Sequence, residues 1–275
     1  MNHSVTPTSP SPQAPAARAV PAALAARTHR RDVWWAQPLG VFLGLSAFVV
    51  YSTWAAFQNA HYFYTGGGAH YLSPMYSPDL SGLDLFPAWL PLWFPRSPAL
   101  LILWAPAGFR LTCYYYRKAY YRSFALKPPA CAVGGPQSHS YRGETAFPLI
   151  LQNAHRYFLY LALAFIVVLW YDGIRALFFG DGFGVGVGTL VLCANAFLLS
   201  CYTLGCHSLR HLIGGRLDCF SCSASSRIRH SAWSWATVLN MRHQLWAWLS
   251  LIMVGFADLY VRLCSMGVWH DMRIL

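Results

Sequence analysis

The sequence predicts an all-α integral membrane bundle of five transmembrane helices, and three observations carry that prediction. Of its 275 residues, 56% are hydrophobic and only 11% charged, less than half of the roughly 25% charge of a soluble domain. The apolar residues fall in blocks long enough to cross about 30 Å of hydrocarbon. Lys and Arg gather beside alternate block ends, as the positive-inside rule requires.

Residues 1–31, MNHSVTPTSPSPQAPAARAVPAALAARTHRR, are rich in Pro, Ala, Ser and Thr without sustained periodicity, the composition of a disordered tail. PAALAA is too short for a signal-peptide core, and THRRD is a poor twin-arginine match, so no cleaved leader is expected. Residues 32–275 form the transmembrane domain. Its spans are predicted at about 38–58, 97–117, 148–171, 185–208 and 241–262. The second is the most irregular, because Pro106 and Gly108 should bend it and Arg110 lies inside it. The stretch 59–97, with Gly66, Gly67, Gly68 and several prolines, reads as a loop with short surface helices.

Charge fixes the orientation. With the N-terminus in the cytoplasm, Arg18, Arg27, Arg30, Arg31, Arg117, Lys118, Arg122, Lys127, Arg142, Arg210, Arg216, Arg227, Arg229 and Arg242 lie inside. Only Arg96, Arg175, Arg262 and Arg273 then lie outside. The net charge of +11 is therefore a topology signal, spread too widely for a nucleic-acid face. It leaves a basic cytoplasmic surface suited to an acidic soluble partner. The chain is expected in a bacterial plasma membrane, in contact with lipid.

Eight cysteines at irregular spacing do not form a secreted disulfide framework. Cys219 and Cys222 make one CxxC without a second pair, a weak metal signal. Cys193, Cys201 and Cys264 sit among apolar residues as packing groups. The remaining thiols behave differently. In the predicted topology Cys113 ends span two, His155 lies about two turns inside span three, and Cys206, His207 and His211 end span four. His243 opens span five, and Cys131 lies in KPPACAVGGP on the inner loop. Ionisable side chains at matched depth in several helices mark a shared site. A histidine pair from two helices would hold haem iron, four cysteines a plain iron-sulfur cluster, and two of each a Rieske-type 2Fe-2S centre of raised potential. Zinc is chemically possible but has no redox task here. Among the aromatic and basic residues at this level, Arg156, Tyr157 and Trp246 are the candidates for a quinone headgroup, which wants an apolar slot with one or two donors.

FRLTCYYYRKAYYRSF (109–124), PPACAVGGP (128–136), YRGETAFPLILQNAHRYFLYLAL (141–163), the stretch from VGTLVLCANAFLL to CHSLRHLIGGRLD (187–218) and LNMRHQLWAWLSL (239–251) are similar to one family. It is the single membrane-anchor subunit of actinobacterial type F succinate dehydrogenases, a branch of respiratory complex II. The resemblance implies a five-helix anchor beneath a flavoprotein subunit and an iron-sulfur subunit, passing electrons from succinate to menaquinone. It further implies a membrane-embedded Rieske-type 2Fe-2S cluster, with Cys113, Cys131, His155, Cys206, His207, His211 and His243 as the pool for four ligand positions. The CFSC pair departs from the family pattern and takes no role. An Arg-His pair such as Arg210 and His211 also occurs in haem-bearing anchors, so a haem b anchor stays open, as does a non-redox scaffold whose histidines cap helices and contact lipid. The chain carries no flavin or dicarboxylate motif, so alone it is not expected to oxidise succinate.

Overall fold

The computed structural model describes residues 32–83, 86–87, 89, 91, 95–126, 133, 145, 147, 149–215 and 217–275. The predicted tail 1–31 lies outside them, as does the loop thiol Cys131.

The described residues are mostly helical. In chain order the helices are α1 (Ala36–Gln58), α2 (Pro98–Ile102), α3 (Trp104–Thr112), α4 (Tyr114–Phe124), α5 (His155–Arg175), α6 (Val187–Leu204), α7 (His207–Gly214), α8 (Ala224–Met241) and α9 (His243–Ser265). Four described helices are long and apolar enough to cross a membrane: α1, α5 with the 3₁₀ turn Leu149–Ala154 ahead of it, α6 and α9. The predicted second span is instead divided. α2 and α3 meet at Leu103, which keeps helical angles, and the path then breaks at Cys113, where the backbone turns extended. Neither piece reaches spanning length, so five spans were predicted where four helices meet the length and apolarity required.

α6 is the inner helix, packed along α5 on one side and α9 on the other, while α3 lies against α5. α1 is peripheral and leaves Val49 and Val50 well exposed, which in hydrocarbon carries no cost. Close approach of α3 to α5 depends on Gly108, where a Cβ would meet the Phe158 ring at 2.2 Å. This contact sets the spacing between Thr112 and His155.

The far end of the bundle is closed by two short antiparallel hairpins. Strand β1 (Phe63–Tyr64) pairs with β2 (Tyr71–Leu72), and β3 (Phe178–Phe179) with β4 (Gly182–Phe183). The C-terminal residues join them: Asp271 accepts from Tyr71, from Tyr260 and from the Gly188 N–H at the start of α6, a carboxylate placed where the helix dipole favours it. Deeper in, Arg262 and Asp258 form an ion pair at 2.8 Å with both side chains fully buried. Arg262 also donates to Gln58, to the Ala60 carbonyl and to the Ala55 carbonyl, while Asp258 accepts from Tyr51 and Ser73. One buried pair thereby ties α9 to α1 and to the loop that follows it.

Candidate metal centre

Two cysteines and two histidines meet at the end of the bundle where α5 and α9 begin. Each occupies a helix boundary. Cys113 is the extended residue between α3 and α4 (φ −63°, ψ 131°), and Cys206 the extended residue between α6 and α7 (φ −68°, ψ 139°). Neither side chain caps its helix, so each sulfur remains available to face inward. His155 and His243 are the first residues of α5 and α9. Four helix N-termini therefore surround the site, and their partial positive charge favours a thiolate or an added electron.

The side chains pair across the helices. Nε2 of His155 lies 3.1 Å from Sγ of Cys206, and Nε2 of His243 lies 3.5 Å from Sγ of Cys113. His155 stacks on Phe109 and His243 on Tyr202, and those two rings meet edge to face at 5.6 Å. Cys113, Cys206, Phe109 and Tyr202 share one buried cluster.

Hydrogen bonds assign the His155 tautomer. The Thr112 hydroxyl donates to the Gly108 carbonyl at 2.7 Å, so at 2.9 Å from Nδ1 of His155 its oxygen acts as acceptor. Nδ1 then carries the proton and Nε2 presents its lone pair to the site, the arrangement that outer partners give a metal-ligating histidine. On His243, Nδ1 is buried and has no partner among the described residues, while Nε2 faces Cys113. Thr112→Val keeps the volume but removes the acceptor. It is expected to shift the His155 ring from the Nδ1–H toward the Nε2–H tautomer, read from the imidazole nitrogen resonances, with Thr112→Ser restoring it; the same tautomer in Thr112→Val and wild type would contradict this positioning role.

Arg110 stands beside the pairs. Its guanidinium donates to Tyr116, to the Ala247 carbonyl and to Ser250, and lies 4.7 Å over the Tyr202 ring. Among the described residues no carboxylate pairs with it. Arg110 and Tyr202 also line an apolar cavity of about 150 Å³, walled by Phe48, Met75, Phe109 and Leu169. The sequence marked Arg110 as a costly charge within a span but did not show its task. Thr112 and Tyr202 carried no signal beyond adjacency to a cysteine and position in an apolar block.

The structure thus brings together four of the seven candidate ligands: Cys113, His155, Cys206 and His243. His207 and His211 lie elsewhere. α6 ends at Leu204, and because the backbone is extended at Cys206 the cysteine turns inward while His207 opens the separate helix α7, exposed. Cys131 is outside the described residues. Of the quinone candidates, Arg156 and Tyr157 are exposed on α5, whereas Trp246 packs against the cluster holding the cysteines, its buried Nε1 without a described partner. Cys219 and Cys222 form a disulfide. Among the described residues no three His, Cys, Asp or Glu side chains converge on a single point. The donors come as two mixed Cys-His pairs, whereas a Rieske-type centre takes both imidazoles on one iron and both thiolates on the other, so the set fits such a centre in the number and type of its donors. Two of the remaining free thiols are elsewhere, Cys193 on the Gly173 carbonyl and Cys264 near the end of α9, so a four-cysteine cluster is not assembled from the described residues. A haem held through Nε2 of His155 and Nε2 of His243 would have to displace the Cys206 and Cys113 sulfurs that face those atoms.

The family described as actinobacterial succinate dehydrogenase subunit SdhC matches residues 36–267. Among solved structures, a chain of the Mycobacterium smegmatis Sdh1 complex in the apo form is 42% identical with a TM-score of 0.79, over 95% of this chain and 98% of that one. No protein of curated description matches.

Proposed function

The chain belongs to the family of actinobacterial succinate dehydrogenase subunits SdhC, and on that premise we propose that it relays electrons to menaquinone through a Rieske-type 2Fe-2S centre. It is a membrane-anchor subunit of a succinate dehydrogenase complex, and other subunits of that complex are its partners. The proposal names an iron-sulfur subunit as electron donor, bound with a flavoprotein subunit on the cytoplasmic face, where the basic residues would meet it.

The observation that carries this reading is the pair of Cys-His contacts, His155 with Cys206 and His243 with Cys113, at four helix N-termini around one buried cluster. Cys113 and Cys206 would supply the thiolates and His155 and His243 the neutral nitrogens. Such a centre supplies one-electron transfer at a potential above that of four-cysteine clusters. Thr112 holds His155 in the tautomer with Nε2 free. Arg110 and the helix ends offset negative charge, and the packed rings of Phe109 and Tyr202 keep water from the imidazoles.

The apolar cavity beside Arg110 is assigned to the quinone headgroup, with the guanidinium as donor to a ring carbonyl; at about 150 Å³ it is smaller than a usual ligand pocket of about 300–1,000 Å³, so the tail would lie outside it. Arg110→Leu in the assembled complex is expected to raise the quinone KM about tenfold or more, the loss of a charged hydrogen bond, with iron content unchanged. Arg156→Leu, on the exposed face of α5, is the comparison. A KM raised by Arg156→Leu and not by Arg110→Leu would move the quinone to the outer face.

A further inference from the structure

Two histidines of the candidate pool remain outside the relay, and their arrangement is itself a site. His207 and His211 sit one turn apart on α7, and their Nε2 atoms are 3.0 Å apart, joined by a hydrogen bond that an ion bound to both would replace. With metal-nitrogen bonds of about 2.0–2.1 Å, two such nitrogens subtend about 94° at one ion, and a tetrahedral ion would need them only about 0.3 Å further apart. Both side chains are exposed and open into a cavity of about 360 Å³ between α7 and α8, lined also by Arg210, Phe220, His230 and Trp233. That volume admits an ion with its waters.

The donor set selects the ion. Among the described residues no carboxylate lines the cavity, so calcium and magnesium, which favour charged oxygen ligands, find none there. Two imidazoles suit zinc, nickel or copper. Arg210, the cation on α7, also lines the cavity, but its guanidinium is engaged: Nε donates to Thr237 and Nη1 to Asn240, and it lies over Trp233. Gly214 lets α7 approach α8 this closely, since a Cβ there would meet the Trp233 ring at 2.5 Å. His230 is held in the same wall by contacts with Phe220 and Trp233.

We propose that His207 and His211 form a second metal site, separate from the electron relay, that binds one divalent ion of the zinc class with its remaining positions open to water or to His230. The separation rests on the relay assigned above, so the test reads zinc and iron independently. Purified complex without a polyhistidine tag, reconstituted in lipid nanodiscs, is equilibrated with Zn²⁺ and washed, and both metals are counted by mass spectrometry. Wild type is expected to hold one Zn²⁺ per chain. His207→Asn and His211→Asn should each weaken binding at least about tenfold while keeping full iron and full succinate-driven quinone reduction; His70→Asn, on the far hairpin, should bind zinc as wild type does. Zinc retained by both pair variants, or no zinc in wild type, overturns the site. Iron lost from either pair variant also overturns it, by placing the pair in the relay; iron lost from His155→Ala but not from them leaves the relay assignment standing whatever the zinc result.

Discussion

His155→Ala in the assembled complex is expected to cut succinate-driven menaquinone reduction by at least about a hundredfold, beyond the effect of losing only an outer partner of a metal ligand. Succinate oxidation with a soluble artificial acceptor should continue, because that reaction draws on the partner subunits alone. The physical reason is the number of roles this imidazole holds. It faces Cys206 at 3.1 Å, takes its tautomer from Thr112 and stacks on Phe109, so its removal takes one nitrogen donor and leaves a void against a ring. Cys206→Ser keeps the shape and exchanges a soft donor for a hard one, and should match His155→Ala in lost activity with less disturbance of assembly. Iron content separates failure of the centre from failure to fold: both variants should retain the partner subunits at wild-type ratio while losing iron. Full quinone reduction in His155→Ala would remove it from the relay.

The second large effect is on stability and lies at the other end of the bundle. Asp258→Ala leaves the Arg262 guanidinium buried without its counter-charge, a change that costs about 3–5 kcal/mol in comparable buried pairs. Tyr51 and Ser73 lose their acceptor as well. The unfolding temperature of the purified complex should fall clearly. Asp258→Leu combined with Arg262→Met, which replaces the pair with apolar volume, should recover most of it. Because Asp258 stands 15 residues from His243, roughly 22 Å along α9, quinone reduction measured well below the unfolding temperature should be unaffected in either variant. A double variant as unstable as Asp258→Ala would show that the hydrogen bonds of Arg262 to α1, and not its charge balance, hold this corner.

The sequence made α1, α5, α6 and α9 legible because each is an uninterrupted apolar block; their boundaries moved by a few residues. It did not reveal that the polypeptide breaks at Cys113, since LTCYYY contains no glycine or proline to announce it. The break at Cys206 had one signal, Gly205, where a Cβ would lie 2.9 Å from the Cys201 carbonyl. The same break places His207 and His211 on a helix of their own, α7. Spacing of four on a continuous span suggested a ligand face, but the extended backbone at Cys206 separates that face from the bundle. α8 drew no assignment from the sequence because its serines and basic residues hide an amphipathic helix, whose start is set by Ser223 accepting from the Ser226 N–H. Arg110 was visible as an expense; only packing showed that it joins the apolar cavity to the Cys-His pairs.

The most direct test of the central claim is the electron paramagnetic resonance spectrum of the reduced complex, with nitrogen couplings resolved. A Rieske-type signal carrying couplings from two histidines is expected, lost in His155→Ala and in His243→Ala and intact in His211→Asn. Low-spin haem signals with a Soret band in place of that spectrum, or nitrogen couplings that survive in both His155→Ala and His243→Ala, would contradict it.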